Sequence, residues 1–180
     1  MKTLIRTFIC YLSLFFCCIF LHNCCTYTYQ ITGGGEIEVY NSRSSSVRKA
    51  DTIKQDFILI LTLTYEQIRL GMQNNFGIIS NSFANSCGET YENKIVESSL
   101  ILKCDKDFIY EGVSISANSN LTSLPNLETR TFRWGGVTFY FMPEFIEKAQ
   151  FQKGEHTFTI EVDTDDQLHF QNEVSVYVDL

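Results

Sequence analysis

The sequence predicts an all-β protein, an antiparallel immunoglobulin-like β-sandwich carrying one or two short helical turns. Short segments alternate apolar and polar residues with a period of two. Clusters of Asn, Asp, Ser and Gly separate them at short intervals, and no long window shows helical periodicity. An α/β doubly wound arrangement is therefore disfavoured, and no solenoid-length repeat is visible.

Along the chain, Glu36-Ile37-Glu38-Val39-Tyr40 alternates as a strand, and the Ser-rich stretch from Asn41 to Lys49 reads as an exposed loop. Asp56 to Tyr65 is the clearest core strand. Phe57, Leu59, Leu61, Leu63 and Tyr65 share one face, while Ile58 and Ile60 make the other face apolar too, so a central position is expected. Glu66 to Asn75 allows a helical turn. Lys94 to Cys104 carries a second buried strand with Leu100, Leu102 and Cys104 on one side, followed by a Ser/Asn loop from Ser114 to Leu127. Val137 to Phe141 is a short aromatic strand, and Pro143 suits the first position of a helical turn ending at Ala149. Thr157 to Asp163 places Phe158, Ile160 and Val162 inward. Asp165-Asp166 turns the chain, and Leu168, Phe170, Val174, Val176 and Val178 complete the sheet.

The N-terminal stretch predicts an address. Lys2 and Arg6 precede an apolar block from Phe8 to Leu21, whose 14 residues fall short of the roughly 20 a membrane-spanning helix needs. Leu21 stands three positions before Cys24, as in a lipoprotein export signal, although Asn23 replaces the usual small residue. Cys25 and Cys17 fit less well. The expected organisation is a signal peptide over 1–23, a lipidated tether over 24–35 beginning at Cys24, and one sandwich domain over 36–180. Ordinary secretion with a cut nearby is the alternative. Gly33-Gly34-Gly35 is read as part of the flexible tether, since no lysine-serine pair follows it to make a phosphate cradle. An acylated cysteine supplies firm membrane attachment without a hydrophobic span.

Removing residues 1–23 leaves 157 residues with 12 basic and 21 acidic side chains, a net of −9. That length suits one domain with a real core, and the acidic balance disfavours nucleic acid and anionic lipid as partners. Cys87 and Cys104 remain beyond the anchor. In an oxidising compartment they can close a 17-residue loop worth about 3 kcal/mol, or they can stand as two buried thiols.

Few residues point to chemistry. His156 and His169 lie in the C-terminal strands, where hairpin pairing could make them neighbours with Glu155 or Asp166 as a third ligand. No His-Glu-x-x-His or Cys-x-x-Cys spacing accompanies them, so no metal site and no cofactor are assigned. Asp163-Thr164-Asp165-Asp166-Gln167 begins like a calcium loop, but Leu168 and Val174 occupy the positions that require Gly and a carboxylate, so it reads as a turn. No Gly-x-Ser-x-Gly elbow occurs, and no catalytic residue is assigned. Trp134, beside Gly135 and near Phe139, Tyr140 and Phe141, is the candidate for ligand stacking. Its alternative is a core or rim plug.

The Cys24-Cys25 start, the strand DTIKQDFILILTL, the segment IVESSLILKCDKDF with its following Ser/Asn loop, and the closing GEHTFTIEVDTDDQLHF hairpin together resemble an uncharacterised family of Bacteroidetes lipoproteins. The resemblance implies an envelope-anchored β-rich domain of unknown function, with no catalytic residues to carry over. Surface-exported lipoproteins of that group often carry acidic residues just after the cysteine. Thr26 to Gln30 has none, which gives weight to a periplasm-facing position at the outer membrane. The expected role is binding, or service as an accessory subunit, with an envelope protein or glycan as partner. A glycan hydrolase using unidentified carboxylates is the alternative, and edge strands that accept a partner strand are a third possibility.

Overall fold

The computed structural model describes residues 27–41, 48–49, 51–68, 89–132 and 135–180. The chain divides into two compact units, one comprising Met1–Tyr29 with Gln67–Tyr91 and the other Gln30–Glu66 with Glu92–Leu180. The strands in chain order are β1 (Tyr27–Asn41), β2 (Arg48–Lys49), β3 (Thr52–Ile53), β4 (Phe57–Ile68), β5 (Glu89–Tyr91) and β6 (Ile101–Cys104). They continue with β7 (Phe108–Tyr110), β8 (Val113–Ile115), β9 (Leu127–Phe132) and β10 (Gly136–Phe141). The helix α1 (Pro143–Lys148) then leads to β11 (Ala149–Gln150), β12 (Gly154–Asp163) and β13 (His169–Val178). No helix among the described residues is long and apolar enough to cross a membrane.

In the smaller unit, Tyr27–Tyr29 of β1 pairs in parallel with β5. Thr28 and Thr90 share a hydroxyl hydrogen bond of 3.1 Å, and the rings of Tyr29 and Tyr91 lie 5.7 Å apart.

The larger unit is the sandwich. One main sheet has the order β2-β1-β4-β10-β9 and the opposing one β3-β13-β12-β6, beside a small three-stranded sheet β11-β7-β8. The core strand takes its place because Phe57, Leu59, Leu61 and Leu63 recur with period two and are all buried, while Ile58 and Ile60 on the reverse face are half-buried. With β1 and β10 as neighbours, β4 is central, as its two apolar faces imply. Tyr65, on the same row, runs past the core and is 50% exposed. From the opposing sheet, Phe158 meets Phe57 and Phe141, each at 5.8 Å, so the aromatic rings bridge the two layers. Phe145 of α1 closes this cluster edge-on to Phe141 at 5.1 Å. Pro143 stands at the start of α1, where its missing N–H costs nothing. Most pairings are antiparallel, with β3 on β13 a parallel exception.

Residues 30–35, expected in the tether, belong instead to β1 of the sandwich, and residues 67–91 fall in the other unit. The glycines serve close approach rather than flexibility. A side chain at Gly35 would meet the Thr62 carbonyl, and one at Gly34 would meet the Asn172 amide, whose nitrogen donates to the Gly35 carbonyl. The helical turn expected from Glu66 is replaced at its start by the end of β4, and residues 69–75 lie outside the described residues.

The region expected as loop from Ser114 holds the end of a hairpin. Glu111 and Gly112 both adopt positive φ between β7 and β8, as a two-residue hairpin turn of the primed type requires. Beyond it, Asn118 N–H donates to the Cys104 carbonyl at 2.7 Å and Leu121 N–H to the Leu102 carbonyl at 2.8 Å. These two donors cap the open edge of β6, and buried Leu121 anchors the loop there.

Candidate functional site

The ends of β12 and β13 build an open depression of about 340 Å³, lined by Val39, Asp51, Glu155, Val174, Ser175, Val176 and Tyr177. Antiparallel register sets Glu155 directly opposite Tyr177, so both side chains leave the same face of the sheet. Asp51 arrives from another direction. Its carbonyl accepts the Tyr177 N–H at 3.2 Å, fixing the segment before β3 against the edge of β13. Tyr177 is 44% exposed, and Asp51 and Glu155 are exposed beside it. At the rim, Lys153 pairs with Asp179 at 2.6 Å, an exposed ion pair that holds the Lys153 ammonium above its usual range and the Asp179 carboxyl below its own.

A second depression of about 390 Å³ is more polar, with Glu97, Asn120, Thr122, Thr129 and Thr131 along it. Its groups satisfy one another: Thr131 Oγ1 donates to Glu97 at 2.7 Å, and Thr122 Oγ1 donates to Asn120 at 2.9 Å.

A third arrangement lies inside the sheet. Cys104 pairs opposite Phe158 on β12, which places His156 two residues away on the same inward face. Cys104 is 1% exposed and His156 0%. His156 Nε2 lies 2.6 Å from the Gln152 carbonyl, which can only accept, so Nε2 carries the hydrogen. In the neutral ring Nδ1 is then the acceptor, and it faces Cys104 Sγ at 3.5 Å. Asp105 Oδ1 lies 3.9 Å from the same sulfur and accepts the Thr157 N–H at 2.8 Å. Burial pushes the Cys104 thiol up to about 11, with the Lys106 N–H partly opposing it. The thiol is thus protonated near neutral pH and a poor nucleophile.

The expectation that His156 and His169 become neighbours is corrected by the register. His156 pairs with Val176 and His169 with Asp163, at opposite ends of the hairpin. His169 is exposed and meets Asp163 at 2.7 Å, so the two imidazoles cannot share an ion. The Asp163–Gln167 segment is a turn, closed by Thr164 N–H to the Leu168 carbonyl at 2.9 Å with Gln167 at positive φ. Cys104 carries a free thiol, whereas Cys24, Cys87 and Trp134 lie outside the described residues. Phe139 and Phe141 are core, and Tyr140 is half-buried under the Arg130 guanidinium at 5.1 Å.

Tyr177, Asp51 and Glu155 were not singled out by sequence as a set, because two adjacent hairpin strands and a distant loop supply them. His156 did carry a signal: it stands on the inward row of Phe158, Ile160 and Val162. That row marks it as buried, though not what it faces.

No protein-family model and no curated protein matches the chain. Among solved structures it is similar to the C-terminal domain of the Streptococcus pyogenes antigen I/II-family protein AspA, at 11% identity and a TM-score of 0.26, over 81% of this chain and 46% of that one. It is also similar to a chain called BspA_C_mut, at 11% identity and a TM-score of 0.26, over 79% and 46% respectively. The chain thus spans less than half the length of either structure.

Proposed function

We propose that this chain is a lipid-anchored module of a bacterial cell envelope that acts by binding glycan at the Tyr177 depression. The observation that carries the reading is the half-exposed Tyr177 ring flanked by Asp51 and Glu155 in an open, partly apolar concavity. An aromatic face covers the C–H face of a sugar, and carboxylates accept hydrogen bonds from its hydroxyls. The Leu21-His22-Asn23-Cys24 segment supports anchoring at Cys24, in the manner of Bacteroidetes lipoproteins, with the domain at the outer membrane and facing either the periplasm or the cell surface.

Calorimetric titration with a panel of envelope and dietary oligosaccharides tests the reading. Binding that disappears in Tyr177→Ala, while stability shifts by no more than about 0.5 kcal/mol, is the expected result for an exposed contact residue. Binding of equal strength in that variant, or none to any member of the panel, contradicts it.

Two carboxylates at one depression also favour a second reading, glycan hydrolysis by an acid and its partner. Release of reducing ends by the wild type, abolished in Glu155→Gln and Asp51→Asn, would establish the hydrolase in place of the binding module.

A further inference from the structure

We propose that Cys104, His156 and Asp105 form a binding site for a divalent transition-metal ion of the zinc type. The ligand atoms of the three residues all lie within 4.8 Å of one another. The spacing matches the chemistry. With zinc about 2.3 Å from sulfur and about 2.0 Å from nitrogen, a tetrahedral angle separates the two ligand atoms by about 3.5 Å. Cys104 Sγ and His156 Nδ1 are 3.5 Å apart. Asp105 Oδ1, at 3.9 Å from the sulfur, needs to close by a few tenths of an ångström. Its side chain is exposed and can do so.

The surroundings of the ring agree. A metal-ligating imidazole donates its other N–H to a carbonyl or carboxylate, which fixes the tautomer and aims the free nitrogen. The Gln152 carbonyl performs that role at 2.6 Å, and the Phe151 ring, edge-on at 5.7 Å, holds the imidazole plane. Cys104 on β6 stands opposite Phe158 of β12, two residues from His156 on the same inward row, so the pair is set by the sheet rather than by a loop. Asp105 continues this pairing through its N–H to the Thr157 carbonyl at 3.0 Å. Asp105 is the exposed member of the set. Three protein ligands leave one coordination position for water or another donor.

Binding breaks the Cys104 S–H bond and forms a sulfur–metal bond, and the proton passes to solvent. Because the ion displaces the thiol proton, binding strengthens as pH rises. The site is independent of the glycan-binding reading, since none of its residues lines the Tyr177 depression.

Cobalt(II) titration of the metal-free full chain is the test, because a thiolate–cobalt bond gives a near-ultraviolet band. The expected result is a one-to-one band that strengthens with pH and is lost in Cys104→Ser. Asp105→Asn, an exposed change that retains the Thr157 contact, should keep the band. It should weaken affinity by at least the roughly tenfold that loss of an outer-sphere partner costs. Absence of the band in the wild type overturns the proposal. So does a band that persists in Cys104→Ser, which assigns the ion to another cysteine. Circular dichroism of each variant separates a lost site from a lost fold.

Discussion

Phe57 and Phe141 lie face to face across the β4–β10 pair, with centroids 4.0 Å apart and planes 15° from parallel. They are direct register partners, so one sheet presents a double aromatic surface to the other. Phe158 plugs that surface from β12 and meets Phe151 edge-on at 6.5 Å.

Phe158 is 0% exposed at the junction of both sheets, so its truncation leaves a void that neither rigid sheet can fill. Phe158→Ala should lower stability by about 3–5 kcal/mol, read as a fall in the denaturant midpoint. A loss under about 1 kcal/mol would mean that the layers do not meet at this residue.

Asn93 acts as a strand made from a side chain. Its Oδ1 accepts the Ile31 N–H at 2.7 Å, and its Nδ2 donates to the Ile31 carbonyl at 3.0 Å and to Asp166 at 3.1 Å. Asn93→Leu keeps the volume and strands both backbone groups, at roughly 1–3 kcal/mol for each. Chemical denaturation should show the loss, and hydrogen exchange should show the Ile31 amide deprotected. An unchanged Ile31 amide would contradict the assignment.

The Asp166 carboxyl is held below its ordinary range, chiefly by the Thr164 hydroxyl donating to it; burial opposes this, and the Asn93 and Gln30 side chains add smaller downward effects. A carboxyl depressed in the folded state stabilises above its unfolded value near pH 4. It loses that contribution as pH falls through the lower folded value. Stability measured from pH 5 to pH 2 should therefore fall less steeply in Asp166→Asn than in the wild type. Parallel curves would show that the carboxylate contributes nothing.

Much of the sandwich was legible because burial on one face writes itself as period two. The rows Phe57-Leu59-Leu61-Leu63, Leu100-Leu102-Cys104 and Phe158-Ile160-Val162 all point inward as read. Gly33-Gly34-Gly35 misled for a physical reason. Local sequence marks glycine as loose, and only the crowding of Thr62 and Asn172 against β1 reveals a strand that needs bare backbone. Strand β9 was missed because its alternation is mostly polar: Leu127 is its one buried residue, among Glu128, Thr129, Arg130 and Thr131. The Cys104–His156 contact joins residues 52 apart, and the Tyr177 depression joins residues about 100 apart or more. Such pairings follow from strand order, which periodicity does not carry.

The claim of an anchored envelope module is tested most directly by the mass of the mature N-terminal peptide from the native membrane fraction. The account predicts a peptide that begins at Cys24 and carries acyl chains. An unmodified terminus, cut at another position, would contradict the anchor and make the sandwich a freely secreted domain.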